Sequence, residues 1–114
     1  MLLNTISHQG FNEQVLTFHT EGELTPGTAV CIDESGALVP AVDKDFIGIV
    51  VSSKDGITAV QVEGYVETNI DTVTSPLNVT ALVGNGVLGV KKGDTENCKY
   101  RVLKHNKNTA GFIL

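Results

Sequence analysis

Tryptophan is absent from this 114-residue chain, and only four phenylalanines and two tyrosines supply aromatic rings. The core must therefore be built from Val, Ile and Leu, and a ligand site that stacks flat rings on indoles has no platform. Cysteine is also scarce: Cys31 and Cys98 lie far apart with no short metal or redox spacing. The expectation is two free thiols in a reducing cytoplasm rather than a disulfide. Long apolar runs are missing, since none approaches the ~20 residues that cross a bilayer. Met1-Leu2-Leu3 gives way at once to Asn4, Thr5, Ser7 and His8, so neither a signal peptide nor a membrane anchor is expected. The Asn78-Val79-Thr80 sequon then carries no glycosylation meaning. Positive charge is short as well. Eight basic against thirteen acidic residues give a net charge of −5, which repels phosphate backbones and anionic lipid and argues against nucleic acid or a membrane as partner.

What is present is a cadence of short runs rich in Val, Ile and Thr, each closed by turn residues. The runs are Val15–Thr20, Thr28–Asp33, Phe46–Ser52, Ala59–Thr68, Val79–Val83, Tyr100–His105 and Ala110–Leu114. Between them stand Thr25-Pro26-Gly27, Glu34-Ser35-Gly36, Lys54-Asp55-Gly56, Gly84-Asn85-Gly86, Lys92-Gly93-Asp94 and Asn106-Lys107-Asn108. This pattern predicts an all-β fold, a small sandwich or barrel of short antiparallel strands. In Ala59–Glu67, Val60, Val62 and Val66 should face one side while Gln61, Glu63 and Glu67 face the other. Phe46–Val51 is apolar on both faces and reads as a central strand, with Gly48 marking a bulge or a close backbone approach. Ser75-Pro76 could start a helix of at most two turns. Residues 1–13 lack either periodicity and read as an N-terminal arm; residues 14–114 read as one β domain, large enough to bury roughly two-thirds of its unfolded surface.

Each candidate for chemistry meets a structural alternative that explains it better. His8, His19 and His105 are isolated, with no metal-ligand spacing to one another or to a cysteine. Cys31 sits within Val30-Cys31-Ile32, where burial raises a thiol pKa and makes it inert. The carboxylates Asp33-Glu34 and Asp43/Asp45 lie in polar turns, without the burial that separates an acid from a base. Gly84-Asn85-Gly86-Val87-Leu88-Gly89 spells G-x-G-x-x-G, but Val90-Lys91-Lys92-Gly93 follows instead of the helix a phosphate cradle requires. It reads as a hairpin or bulge cluster. The chain is therefore expected to be no enzyme, with no catalytic residue, metal or cofactor.

The succession Gly22–Val30, Asp33–Ala41, Ile47–Val50 and Val60–Val66, continued by Leu82–Val90, Tyr100–Asn106 and the closing Phe112-Ile113-Leu114, resembles the head decoration, or capsid cement, proteins of tailed bacteriophages. The likeness covers about residues 14–114 and rests on the order and spacing of its elements. It implies a viral structural protein, made in the host cytoplasm, that sits on the outer surface of the virion's capsid and stabilises the head. Its partners would be the major capsid protein and two further copies of itself in a homotrimer. In such a protein the N-terminal arm would contact the shell by strand addition, with Leu2, Leu3, Ile6 and Phe11 as anchors. The trimer contact is expected from the glycine-rich C-terminal half, through Leu82, Val83, Val87, Leu88, Phe112 and Leu114, because one thin sandwich would leave them uncovered. Two other readings fit the same composition: a tail or baseplate β-domain, and a small hydrolase or glycan-binding domain whose site is assembled from scattered residues.

Overall fold

The computed structural model describes residues 13–71, 79–106 and 108–114. Among the described residues there are ten strands: β1 Gln14–His19, β2 Ala29–Ile32, β3 Leu38–Pro40, β4 Gly48–Lys54, β5 Ile57–Glu63, β6 Tyr65–Asp71, β7 Val79–Gly84, β8 Val90–Lys92, β9 Lys99–His105 and β10 Thr109–Ile113. The fold is all-β, with no helix among the described residues. The helix start expected at Ser75 and the arm residues Leu2, Leu3, Ile6 and Phe11 lie outside those residues.

The strands divide into an open five-stranded sheet, in the order β1-β5-β4-β2-β3, and a closed barrel, β10-β6-β8-β7-β9. Every pairing is antiparallel except β6 with β8. The β4–β5 hairpin turns on Asp55 and Gly56, both at positive φ (55° and 79°), the type I′ geometry whose twist matches two right-twisted strands.

The single long strand expected across Ala59–Thr68 is two strands in two different sheets. Gly64, at φ 97°, breaks it: β5 belongs to the open sheet and β6 to the barrel. A side chain at Gly64 would meet Glu13 Cα at 3.1 Å and strain the backbone, so the corner depends on glycine. Gln61 fastens it, its Nε2 donating to the Glu63 and Tyr65 carbonyls at 2.9 and 3.0 Å. Val60 and Val62 do share one side of the sheet, but Val66 lines the other core. Phe46 precedes its strand rather than starting it, and is buried against Tyr100 and Phe112 with ring centroids at 5.1 and 6.1 Å.

The larger core joins sheet to barrel. Ala29, Cys31, Ala41, Phe46 and Ile49 come from the sheet side, and Val66, Ile70, Leu82, Val90, Val102, Ala110 and Phe112 from the barrel interior. A smaller core on the opposite face of the sheet holds Val30, Leu38, Val50 and Val60 under Phe18, Leu24 and Val62. Thr58 is fully buried there and finds its partners in the Thr20 and Ser53 hydroxyls at 2.9 and 2.8 Å.

Candidate functional site

Where sheet meets barrel the chain leaves a groove of about 650 Å³. The sheet side contributes Pro26, Val51 and Gln61, and the barrel side Glu67, Asn69 and Leu88, with Glu13 at the entrance to β1. Two local contacts fix its floor: Thr68 Oγ1 donates to the Gly27 carbonyl at 2.5 Å, and Gly27 N–H donates to Val50 O at 2.8 Å.

Several polar groups of the groove are engaged. Tyr65 O–H donates to Glu67 Oε1 at 3.0 Å, and Lys104 Nζ reaches the same oxygen at 3.4 Å. Burial above all, and the Glu67 carboxylate next, push the Tyr65 hydroxyl well above its ordinary range, so it stays protonated at any physiological pH. Gln61 is held by the Gly64 corner. The exposed lining is mixed, with Pro26 and Val51 beside Glu13, Glu67 and Asn69.

Elsewhere the carboxylates singled out in sequence hold turns. Asp33 Oδ1 accepts from the Ser35 hydroxyl at 2.7 Å and from the Ser35 and Ala37 N–H groups at 2.9 Å, which holds its carboxyl below the usual range. Asp45 Oδ1 accepts from Cys98 N–H at 3.0 Å and Asn97 Nδ2 at 3.1 Å, and these bonds lower its pKa. The Asp45 side chain in turn raises the Cys98 thiol, chiefly as its hydrogen-bond acceptor. Both cysteines are free, Cys31 buried and Cys98 exposed. His19 is exposed, and His105 is half-buried. No group of three or more His, Cys, Asp or Glu among the described residues is arranged to hold a metal ion.

The Gly84–Gly89 segment links the antiparallel strands β7 and β8. Asn85 organises it, accepting from Val87 N–H at 2.9 Å and donating to Leu88 O at 2.8 Å. Gly89, at φ 102°, sits so close to the Asn69 carbonyl that no side chain fits, and this lets β8 enter beside β6.

The apolar contact patch expected in the C-terminal half is not a surface. Leu82 and Phe112 are fully buried and Val83 nearly so. Leu114 packs half-buried against the same core, and Leu88 is half-buried over Gly27. Of the six residues only Val87 is well exposed, at 79%. Barrel closure is the reason: a closed sheet has an interior, and alternate residues of each strand fill it. The exposed apolar groups are others, among them Val15, Leu16, Val42, Val51 and Val79.

Those on β1 mark the second feature of the site. Among the described residues β1 is an edge strand, and five of its six residues are exposed. Thr20 N–H donates to Gly56 O at 2.9 Å on the β5 side, so by antiparallel alternation the main-chain groups of Val15, Thr17 and His19 face the open edge. No Lys, Arg, Asp, Glu or Pro lies within β1 to discourage strand addition. Comparison with protein-family models, with curated proteins and with solved structures finds no significant match.

Proposed function

We propose that this chain is a non-enzymatic head decoration protein of a tailed bacteriophage, carried on the outer surface of the capsid, where it stabilises the shell. The observation that carries this reading is the β1 edge: a six-residue, uncharged, exposed strand, continuous at its N-terminal end with residues 1–13. A protein that attaches by extended-chain pairing needs such a strand or arm, because backbone hydrogen bonds give the affinity and alternate side chains the register. The order and spacing of elements that resemble the decoration proteins support the same reading. The arm residues Leu2, Leu3, Ile6 and Phe11 would bury against the major capsid protein, each contributing about 1.5–3 kcal/mol if fully covered. Many copies on one shell let weak single contacts act together.

The test is co-sedimentation of the purified protein with undecorated heads of the virus that carries its gene. Saturable binding that raises the heat resistance of the heads is expected. Removing residues 1–12 should abolish binding while leaving the melting temperature nearly unchanged. Full-length protein that never sediments with heads would overturn the proposal, and unaltered affinity after truncation would remove the arm from it.

A further inference from the structure

Of the chain's eight asparagines only Asn85 precedes a glycine; the others precede Thr, Glu, Ile, Val, Cys or Lys. Asn85 and Gly86 are half-buried in the β7–β8 turn beside the exposed Val87, so water reaches them. Asn85 Oδ1 accepts from Val87 N–H at 2.9 Å, an Asx turn that folds the side-chain carbonyl carbon back toward the Gly86 peptide. Gly86, at φ 84°, has no Cβ to hinder its nitrogen from reaching that carbon. The same carboxamide fastens the barrel at its shortest pairing. Among the described residues β6 and β8 share two register pairs, Ile70 with Val90 and Asp71 with Lys91. Asn85 Nδ2 closes the end of that seam, donating to Leu88 O at 2.8 Å and to Asp71 Oδ2 at 3.1 Å. Lys91, opposite Asp71, is ion-paired with Asp43.

We propose that Asn85 is a site of spontaneous deamidation, and that its product loosens the β6–β8 seam. The Gly86 nitrogen bonds to Asn85 Cγ and gives up its proton, the Cγ–Nδ2 bond breaks, and the amide nitrogen leaves as ammonia. Water then opens the cyclic imide at either carbonyl and leaves an aspartyl or isoaspartyl linkage at position 85. Either product replaces a donor with a carboxylate. Leu88 O loses its partner, and two carboxylates meet where Asp71 accepted a hydrogen bond. The other charged groups tied to this seam among the described residues are Lys91 and Asp43, and they already neutralise each other. One of the two facing carboxyls must therefore hold its proton to a higher pH than usual. Ring closure also needs Gly86 to shift relative to the bridge between Asn85 and Val42, so its rate follows opening of the turn. The inference is independent of capsid attachment.

Ageing the full chain in warm, mildly alkaline buffer, followed by peptide mapping with mass spectrometry, tests the site. The amide-to-acid mass change should appear first at position 85, together with the isoaspartyl linkage that marks the imide route, and faster in urea than in the native chain. Asn85→Asp tests the consequence. Its melting temperature should fall below that of the wild type at neutral pH. A carboxyl whose folded pKa is raised loses stability as pH climbs through that value, so the deficit should shrink toward about pH 4. Adding Asp71→Asn should recover part of the loss, whereas Asp71→Asn alone should not stabilise the wild type. If Asn85→Asp does not fold at neutral pH, aged wild-type chain separated by charge serves for the same comparison. An intact amide at position 85 while other asparagines convert would overturn the site. A modified chain as stable as the wild type at neutral pH, or a deficit indifferent to both acid and Asp71→Asn, would overturn its effect on the seam.

Discussion

The barrel and the open sheet use the same residue types and the same strand lengths, yet they solve the problem of strand edges differently. In the barrel β10 pairs with both β6 and β9, and β8 with both β6 and β7, so every strand has two neighbours and the interior is filled by Leu82, Val90 and Phe112, each fully buried. In the sheet the order ends on β1 and β3; β3 is a three-residue strand closing on Pro40, while β1 is six residues long and has no second neighbour among the described residues. A closed barrel has no edge to offer a partner. Among the described residues, then, strand addition is open to the sheet through β1 and closed to the barrel.

The largest effect should come from the barrel interior. Phe112→Ala removes a ring packed edge-on against Phe46 and Tyr100 and is expected to cost about 3–5 kcal/mol, read as a fall in the chemical-denaturation midpoint. Val60→Ala, in the smaller core of the sheet, should cost about 2 kcal/mol. Equal losses would mean that the larger core loses no more from a whole ring than the smaller one loses from two methyl groups.

Gly64→Ala tests the corner between the halves. Positive φ and the neighbouring Glu13 backbone predict a loss of about 1–3 kcal/mol with the β-type circular dichroism retained. A neutral result would mean that the corner tolerates an ordinary residue. At the open edge the expected stability change is smaller still: Thr17→Lys, on an exposed position, should stay within about 0.5 kcal/mol of wild type. The same substitution should weaken attachment to heads if β1 accepts a strand, because a charged edge blocks pairing.

The smallest effect concerns acid. Asp45 ties the segment leading into β4 to the turn before β9, and the hydrogen bonds it accepts there hold its folded pKa below the usual carboxylate range. Such a depressed carboxylate contributes stability above its unfolded value, which is lost as pH falls through the folded one. Stability should therefore decline below about pH 4, and Asp45→Asn should flatten part of that decline by slightly lowering stability at pH 7 while leaving it unchanged in acid. Tyr100 sets the alkaline limit: burial raises it to about 12, so its contribution is complete below pH 10 and disappears as pH climbs toward 12.

Much of this architecture was legible residue by residue. The alternation in Ala59–Glu63 and the Asp55-Gly56 turn are local signals, because a strand's period and a type I′ turn's positive φ are set by the residues themselves. Buried Cys31 could likewise be read from its apolar neighbours. The break at Gly64 could not, since Val66 and Glu67 continue the same alternation and a glycine within a strand looks the same whether it bulges or turns a corner. β3 and β8, three residues each, were too short to stand out from the turns around them. The misplaced contact patch has the same origin. Leu82, Val83 and Phe112 look surplus until β6 meets β8 in parallel and closes a barrel around them.

By itself, then, the sequence determined the β class, the positions of most strands and turns, the free thiols and the uneven charge, because each depends on neighbours a few residues apart or on composition. Tertiary structure decided which strands share a sheet, which apolar residues see water and which edge is left open. Those depend on pairings between distant segments, such as β6 with β8, that no local pattern encodes.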